Sequence, residues 1–297
     1  MSLLAPCLRL PSLRLSVALL LSCLWFCPPA QAAKPLVVAS IQPLALLAQE
    51  FYGDKVEVRT LLLPSQNPHQ VSFTPQQLRL LHDADEVIWL GAAAEPYLTP
   101  YLERRPSGAL ALLDQPGVTA LADEDDHHTQ VDPHLWLAPD LLAKLLPALA
   151  ATAASLHLPQ APLTARAQKL QQQWQAMQQQ AKQQLQPLAH TPWLTYHNPW
   201  HYLQQALGLV APLQVEEQLG TELGSRHFLH LAQSMHTQEV RCALLEPEAR
   251  LALMEKLCRS PECKLVPLDP LARDSQAGSY SQWWQALASK VKQCLAP

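Results

Sequence analysis

Beyond the first 33 residues, no stretch of this chain approaches the ~18 to 20 consecutive apolar residues that a bilayer-crossing helix needs. No membrane helix is therefore expected in the body of the chain. Runs of lysine and arginine are also missing. With 21 basic residues against 25 acidic ones and a formal net charge of −4, the surface offers nucleic acid no basic patch. Charge is scarcest at the N-terminus, where Arg9 and Arg14 are the only charged residues before Lys34.

That N-terminus reads as a leader. Leu15–Phe26 is apolar but too short to span a bilayer, and Ala30-Gln31-Ala32 supplies the small-x-small pattern of a cleavage site. The expectation is a signal peptide over residues 1–32. The alternative is a lipid anchor on Cys23, which follows Leu20-Leu21-Ser22. Removing the leader leaves about 265 residues, ordinary for two domains, and a formal charge of about −6. Three of the seven cysteines, Cys7, Cys23 and Cys27, leave with it.

The other four, Cys242, Cys258, Cys263 and Cys294, are an even set in an exported chain, which favours disulfides. Sequence alone allows three pairings. The preferred one ties a strand to the C-terminal helix through Cys242–Cys294 and closes a small local loop through Cys258–Cys263. A zinc site of four thiolates is the rival reading, and the gap between Cys258 and Cys263 fits the usual ligand spacings poorly.

Short β-rich runs alternate with helical ones. Strands are expected over Leu36–Ile41, Val56–Leu63, Glu86–Leu90 and Leu110–Leu113. A helix is expected to run from Ile41 to about Phe51, and another over Thr74–His82 with Pro75 in its first turn. A helix with Pro147 as its kink point follows over Leu141–Leu156. Next comes a long segment from Leu163 to Gln186, bracketed by Pro162 and Pro187. Its apolar positions (Leu163, Ala167, Leu170, Trp174, Met177, Ala181 and Leu185) recur at three- and four-residue steps, marking one face of a continuous helix. Strands then resume at Pro192–Tyr196, Val240–Leu245 and Leu265–Leu268. A helix to Gly208 follows the first of these, and Tyr280–Leu295 closes the chain as a helix. The fold class is α/β, two lobes with parallel sheets flanked by helices and joined by one long rigid helix. The expected boundaries are 33–160 for the first lobe, 161–188 for the linker helix and 189–297 for the second lobe.

Twelve histidines are present. His82, His157, His190, His227, His230 and His236 have no partner at ligand spacing and read as surface or capping residues. His69, His134 and His197 share a position in the fold, in loops beyond strands or at their carboxyl ends, where parallel α/β sheets bind ligands. His69 and His134 fall in the first lobe and His197 in the second, so the cleft between lobes is where they would converge. Asp269, at the end of the Leu265–Leu268 strand, would face the same cleft. Three neutral imidazoles make a zinc shell, whereas manganese and magnesium prefer oxygen-rich shells. A zinc hydrolase could use three histidines and a water, but the His-Glu-x-x-His signature is absent and Glu216, Glu217 and Glu222 cannot be placed as a base.

These motifs resemble those of the periplasmic zinc-binding component of bacterial ABC-type zinc uptake systems, within the zinc- and manganese-binding group of solute-binding proteins. The resemblance rests on Asn67–Pro75 around His69, Asp132–Leu137 around His134, Tyr196–Trp200 around His197, Leu268–Leu271 around Asp269, and Cys242 with Cys294. It implies Zn2+ held in the interlobe cleft by His69, His134, His197 and Asp269. It further implies a periplasmic monomer that catalyses no reaction and delivers its ion to an ABC-type zinc permease in the inner membrane. It also implies the Cys242–Cys294 disulfide of the zinc-specific branch. Manganese-binding members place a glutamate where this chain has His197, which favours zinc over a manganese carrier or metal-linked adhesin on the same scaffold. The departures are local. The long histidine-rich loop of many zinc members shrinks here to Asp123–His128, so that His127 and His128 form either a weak scavenging tract or a solvated acidic loop. His201 replaces a small residue and either lines the cleft or adds a nitrogen near the site. Pro68 stands where some members carry an acid beside the first ligand. Asp269, a water or His201 is thereby left to complete the shell.

Overall fold

The computed structural model describes residues 33–68, 71–105, 108–122, 131–216, 224–259, 262–273 and 275–297. The expected leader with Cys23, His69, and His127 with His128 lie outside the described residues.

The first sheet is built from β1 (Leu36–Ala39), β2 (Glu57–Thr60), β3 (Glu86–Trp89) and β4 (Ala109–Ala111), all parallel, in the order β2-β1-β3-β4. β1 and β3 are buried on both faces, as expected for inner strands of a parallel sheet, while edge strand β2 alternates exposed and half-buried. Helices α1 (Gln42–Tyr52), α2 (Pro75–Asp83) and α3 (Thr99–Leu102) connect these strands. α2 starts on a capping box, in which the Thr74 hydroxyl accepts from the Gln77 N–H and the Gln77 side chain answers the Thr74 N–H.

After α4 (Pro139–Ala151), which accommodates Pro147, comes α5 (Gln160–Leu185), the 26-residue linker helix. At 1.5 Å per residue it is ~39 Å long. It begins three residues earlier than the sequence reading, with Pro162 inside its first turn. Proline is tolerated there because the first N–H groups of a helix have no intrahelical acceptor. Leu163, Ala167, Leu170, Trp174, Met177 and Leu185 are buried and Ala181 packs beside them. Trp174 is fully buried, and its indole N–H is shared between Glu50 Oε1 at 3.2 Å and Ser281 Oγ at 2.9 Å.

The second sheet comprises β5 (Leu194–Thr195), β6 (Leu213–Gln214), β7 (Cys242–Leu245) and β8 (Lys264–Pro267), parallel and in the order β6-β5-β7-β8. Its helices are α6 (His201–Leu207), α7 (Ser225–Thr237), α8 (Leu251–Leu257) and α9 (Tyr280–Leu295). The two sheets are thus visited in the same way: an inner strand, its outer neighbour, then a crossing to the other side. Disulfides join Cys242 to Cys294, with Cα atoms 5.2 Å apart, and Cys258 to Cys263. The first pins the start of β7 to the last turn of α9.

The largest apolar cluster is common to both lobes, running from Val37 and Leu47 through Trp174 and Trp193 to Trp284 and Val291. Smaller clusters lie on the far faces of each sheet, around Val38, Val87 and Leu98 in one and Val215, Met235 and Met254 in the other. Among the described residues no helix is long and apolar enough to cross a membrane.

Candidate metal centre

His134 stands in the loop after β4, just before a single 3-10 turn over Leu135–Leu137. Pro133 between it and Asp132 stiffens the approach. The buried Asp132 carboxylate accepts the His134 backbone N–H at 2.9 Å with Oδ1, and the same oxygen lies 2.8 Å from His134 Nδ1. An anionic oxygen at that distance places the ring proton on Nδ1 and leaves the Nε2 lone pair for a metal, the arrangement that orients imidazole ligands in zinc sites. The other oxygen, Oδ2, lies 3.7 Å from His201 Nδ1, at the first position of α6. Asp132 therefore joins two histidines.

The His134 loop is fastened to the second lobe. The Trp136 indole N–H donates to Pro270 O at 2.8 Å, the Tyr280 hydroxyl to Trp136 O at 2.8 Å, and the Trp284 indole N–H to Leu137 O at 2.9 Å. The Tyr202 hydroxyl donates to Asp132 O at 3.2 Å and accepts the Leu121 N–H at 2.8 Å. All four partners contributing these side chains are buried aromatic residues.

His197 follows β5, and its carbonyl accepts from the Thr195 hydroxyl at 2.7 Å. Thr195 also contacts the Glu246 carboxyl, and the Trp200 indole N–H reaches Glu246 Oε1 at 2.8 Å. Burial, opposed by these hydrogen bonds, pushes the Glu246 carboxyl up to about 7. A counterpart stands in the first lobe. Glu95 accepts the Leu90 N–H at 2.6 Å beyond β3, and burial pushes its carboxyl up to about 7 as well.

Asp269 follows Leu268 beyond β8. Its Oδ1 accepts the Leu271 N–H at 3.0 Å and its Oδ2 the Arg273 N–H at 2.6 Å. The Arg273 guanidinium donates Nη2 to Oδ1 at 2.8 Å and holds Nε 3.2 Å from both oxygens. On its other side it grips Glu248 through Nη1 at 2.5 Å and Nη2 at 3.1 Å. Leu271 and Arg273 face Thr60, Leu62, Pro64 and Pro68 of the first lobe across a cavity. Pro68 is the residue before His69.

His134 and His201 are thus linked through Asp132, and α6, which begins at His201, packs on the Leu135–Leu137 turn. Among the described residues no three potential ligands gather closely enough to hold a metal, His69 being outside them. Sequence reasoning did not assign a role to Asp132, Arg273 or Glu246. Two signals were present. Asp132 stands two residues before a candidate ligand, and Arg273 stands four after Asp269, a spacing that brings opposite charges together in one turn of chain.

Two parallel-sheet lobes sharing a long helix, with histidines beyond strand carboxyl ends, define the class of two-lobed solute-binding proteins. A family model described as zinc-uptake complex component A, periplasmic, matches residues 37–294, and the chain belongs to that family. Among its relatives, the high-affinity zinc uptake system protein ZnuA of Haemophilus ducreyi is 24% identical over 87% of this chain and 93% of its own. The protein of the same name from Paracoccus denitrificans is 26% identical over 90% of this chain and 94% of its own. A crystal structure of ZnuA superimposes with a TM-score of 0.77 at 23% identity, covering 89% of this chain and all of that one, 100%. The periplasmic zinc-binding protein TroA of Treponema pallidum gives a TM-score of 0.76 at 20% identity, with 89% and 100% covered. These two superpositions speak for the fold.

Proposed function

We propose that this chain is exported through a leader over residues 1–32, captures Zn2+ with His69, His134 and His197, and hands it to an ABC-type permease of the inner membrane. It acts as a monomer, over lobes 33–160 and 189–297 joined by 161–188, and catalyses no reaction. The observation that carries this reading is the Asp132–His134 pair, a buried carboxylate 2.8 Å from Nδ1 that leaves Nε2 as a lone-pair donor. A hydrogen-bonded loop histidine with no ligand role would not need a partner that fixes its tautomer. Three imidazoles suit zinc better than manganese.

Calorimetric titration of metal-stripped protein tests it. One Zn2+ per chain is expected, displaced little by excess Mn2+, and replacing His69, His134 or His197 by alanine should each weaken binding by about a hundredfold or more. A variant lacking all three histidines that binds like the parent would remove the assignment. Preference for Mn2+ in the competition would move the chain to the manganese carriers.

A further inference from the structure

Glu246 stands at the carboxyl end of β7, 1% exposed, and its carboxyl meets three residues of one short segment beyond the neighbouring strand β5. Oε2 accepts the Tyr196 N–H at 3.2 Å. Oε1 accepts the Trp200 indole N–H at 2.8 Å and touches the Thr195 hydroxyl. The same indole N–H lies 2.9 Å from Thr195 Oγ, and the Thr195 hydroxyl donates to the His197 carbonyl at 2.7 Å. The contacts of Glu246 therefore fall on both sides of His197, at Thr195 and Tyr196 before it and at Trp200 after it.

Regular structure supplies little hold on this segment. β5 is two residues long and pairs with β7 at one position, Leu194 with Ala243, while α6 does not begin until His201. His197 lies within residues 196–200, outside helix and strand. Apolar packing alone would be served by a leucine at position 246. A carboxyl buried there costs free energy unless its hydrogen bonds are made, so its presence points to the bonds and not to the filling of space.

We infer that Glu246 is a positioning residue for metal capture: it fixes the backbone on both sides of His197 and holds that imidazole in place before the ion arrives. This rests on the reading above in which His197 is a zinc ligand. Glu246 acts through His197 and does not touch the ion. A ligand held in place beforehand loses little freedom on binding, and partners that orient a ligand typically contribute about ten- to a hundredfold in metal affinity.

The test measures zinc affinity against a chromophoric chelator and folding by thermal melting. Glu246→Leu fills much the same space without the bonds and should bind zinc about tenfold more weakly or worse. Glu246→Gln keeps an acceptor oxygen among the same partners and should recover most of the parent's affinity. Placed in a His197→Ala background, Glu246→Leu should cost no further affinity, because its effect passes through that imidazole. A merely structural loss would weaken binding in both backgrounds alike. Should Glu246→Leu fail to fold, Thr195→Val and Trp200→Phe, each removing one donor and little volume, carry the same comparison. Each should then weaken zinc in the parent and not in the His197→Ala background. A folded Glu246→Leu with the parent's affinity overturns the inference, as do Thr195→Val and Trp200→Phe if both bind like the parent. So does an equal loss in the His197→Ala background. A parent that binds no zinc, or a His197→Ala variant that binds it like the parent, overturns the underlying reading and takes this inference with it. That failure is distinct because it shows before position 246 is changed.

Discussion

Glu246 shows how burial favours the protonated form of a carboxyl. Its carboxyl contacts the Thr195 hydroxyl, and it accepts the Trp200 indole N–H at 2.8 Å and the Tyr196 N–H at 3.2 Å, with almost no exposure to water. Its folded value is about 7 against an ordinary 4.5. Between those values the native state keeps a proton that the unfolded chain has released, so stability must fall as pH rises through that window. The loss is about 3 kcal/mol if the whole shift is expressed. Glu95 contributes with the same sign. Thermal melts of the parent should therefore drop between pH 5 and 8 by more than those of Glu246→Gln, which carries no titratable group there. Equal pH dependence in the two proteins would mean that Glu246 is ionised in the fold. At this scale the sequence is partly legible. His134 and His197 stand out because they follow strands, and ligands gather at strand carboxyl ends. Arg273 does not stand out, because its grip on Asp269 depends on the left-handed backbone at Ala272, at φ 55°, which composition and spacing do not reveal.

Helix α5 is the element on which most of the packing converges. It lies against α1, α4, α6 and α9. Trp174 at its midpoint is fully buried, with its N–H bound to Glu50 of α1 and Ser281 of α9. Trp174→Ala should cost about 3 to 5 kcal/mol in urea unfolding, since the lost ring leaves a cavity in the junction. A cost below ~1 kcal/mol would show that the junction is not packed as described. This helix was readable because one apolar stripe repeats over its whole length. The segments less legible in the sequence are shorter. α7 has few apolar residues to read: it buries only Leu231 and Met235 and exposes Leu229 at 68%. β6 is two residues long and follows Pro212, so no alternation can register.

The whole molecule is held together across its lobes. Trp136, Tyr280 and Trp284 fasten the His134 loop to the second lobe, Tyr202 ties Leu121 to Asp132 O, and Glu50 accepts the Ser281 N–H at 2.7 Å. One apolar cluster runs through both halves. Opening the lobes as separate bodies would break these bonds together and wet that cluster, a cost far above the few kcal/mol of an ordinary conformational equilibrium. Small-angle scattering should therefore give the same radius of gyration with and without zinc, and a marked contraction on loading would show that the halves move. The three aromatic fastenings have a consequence for whatever receives the ion. Under the proposed function, an unchanged radius on loading would leave a receiver unable to judge the load by posture. It would then have to read the rim of the cavity, where Leu63 stands half in water beside Pro64 and Pro68.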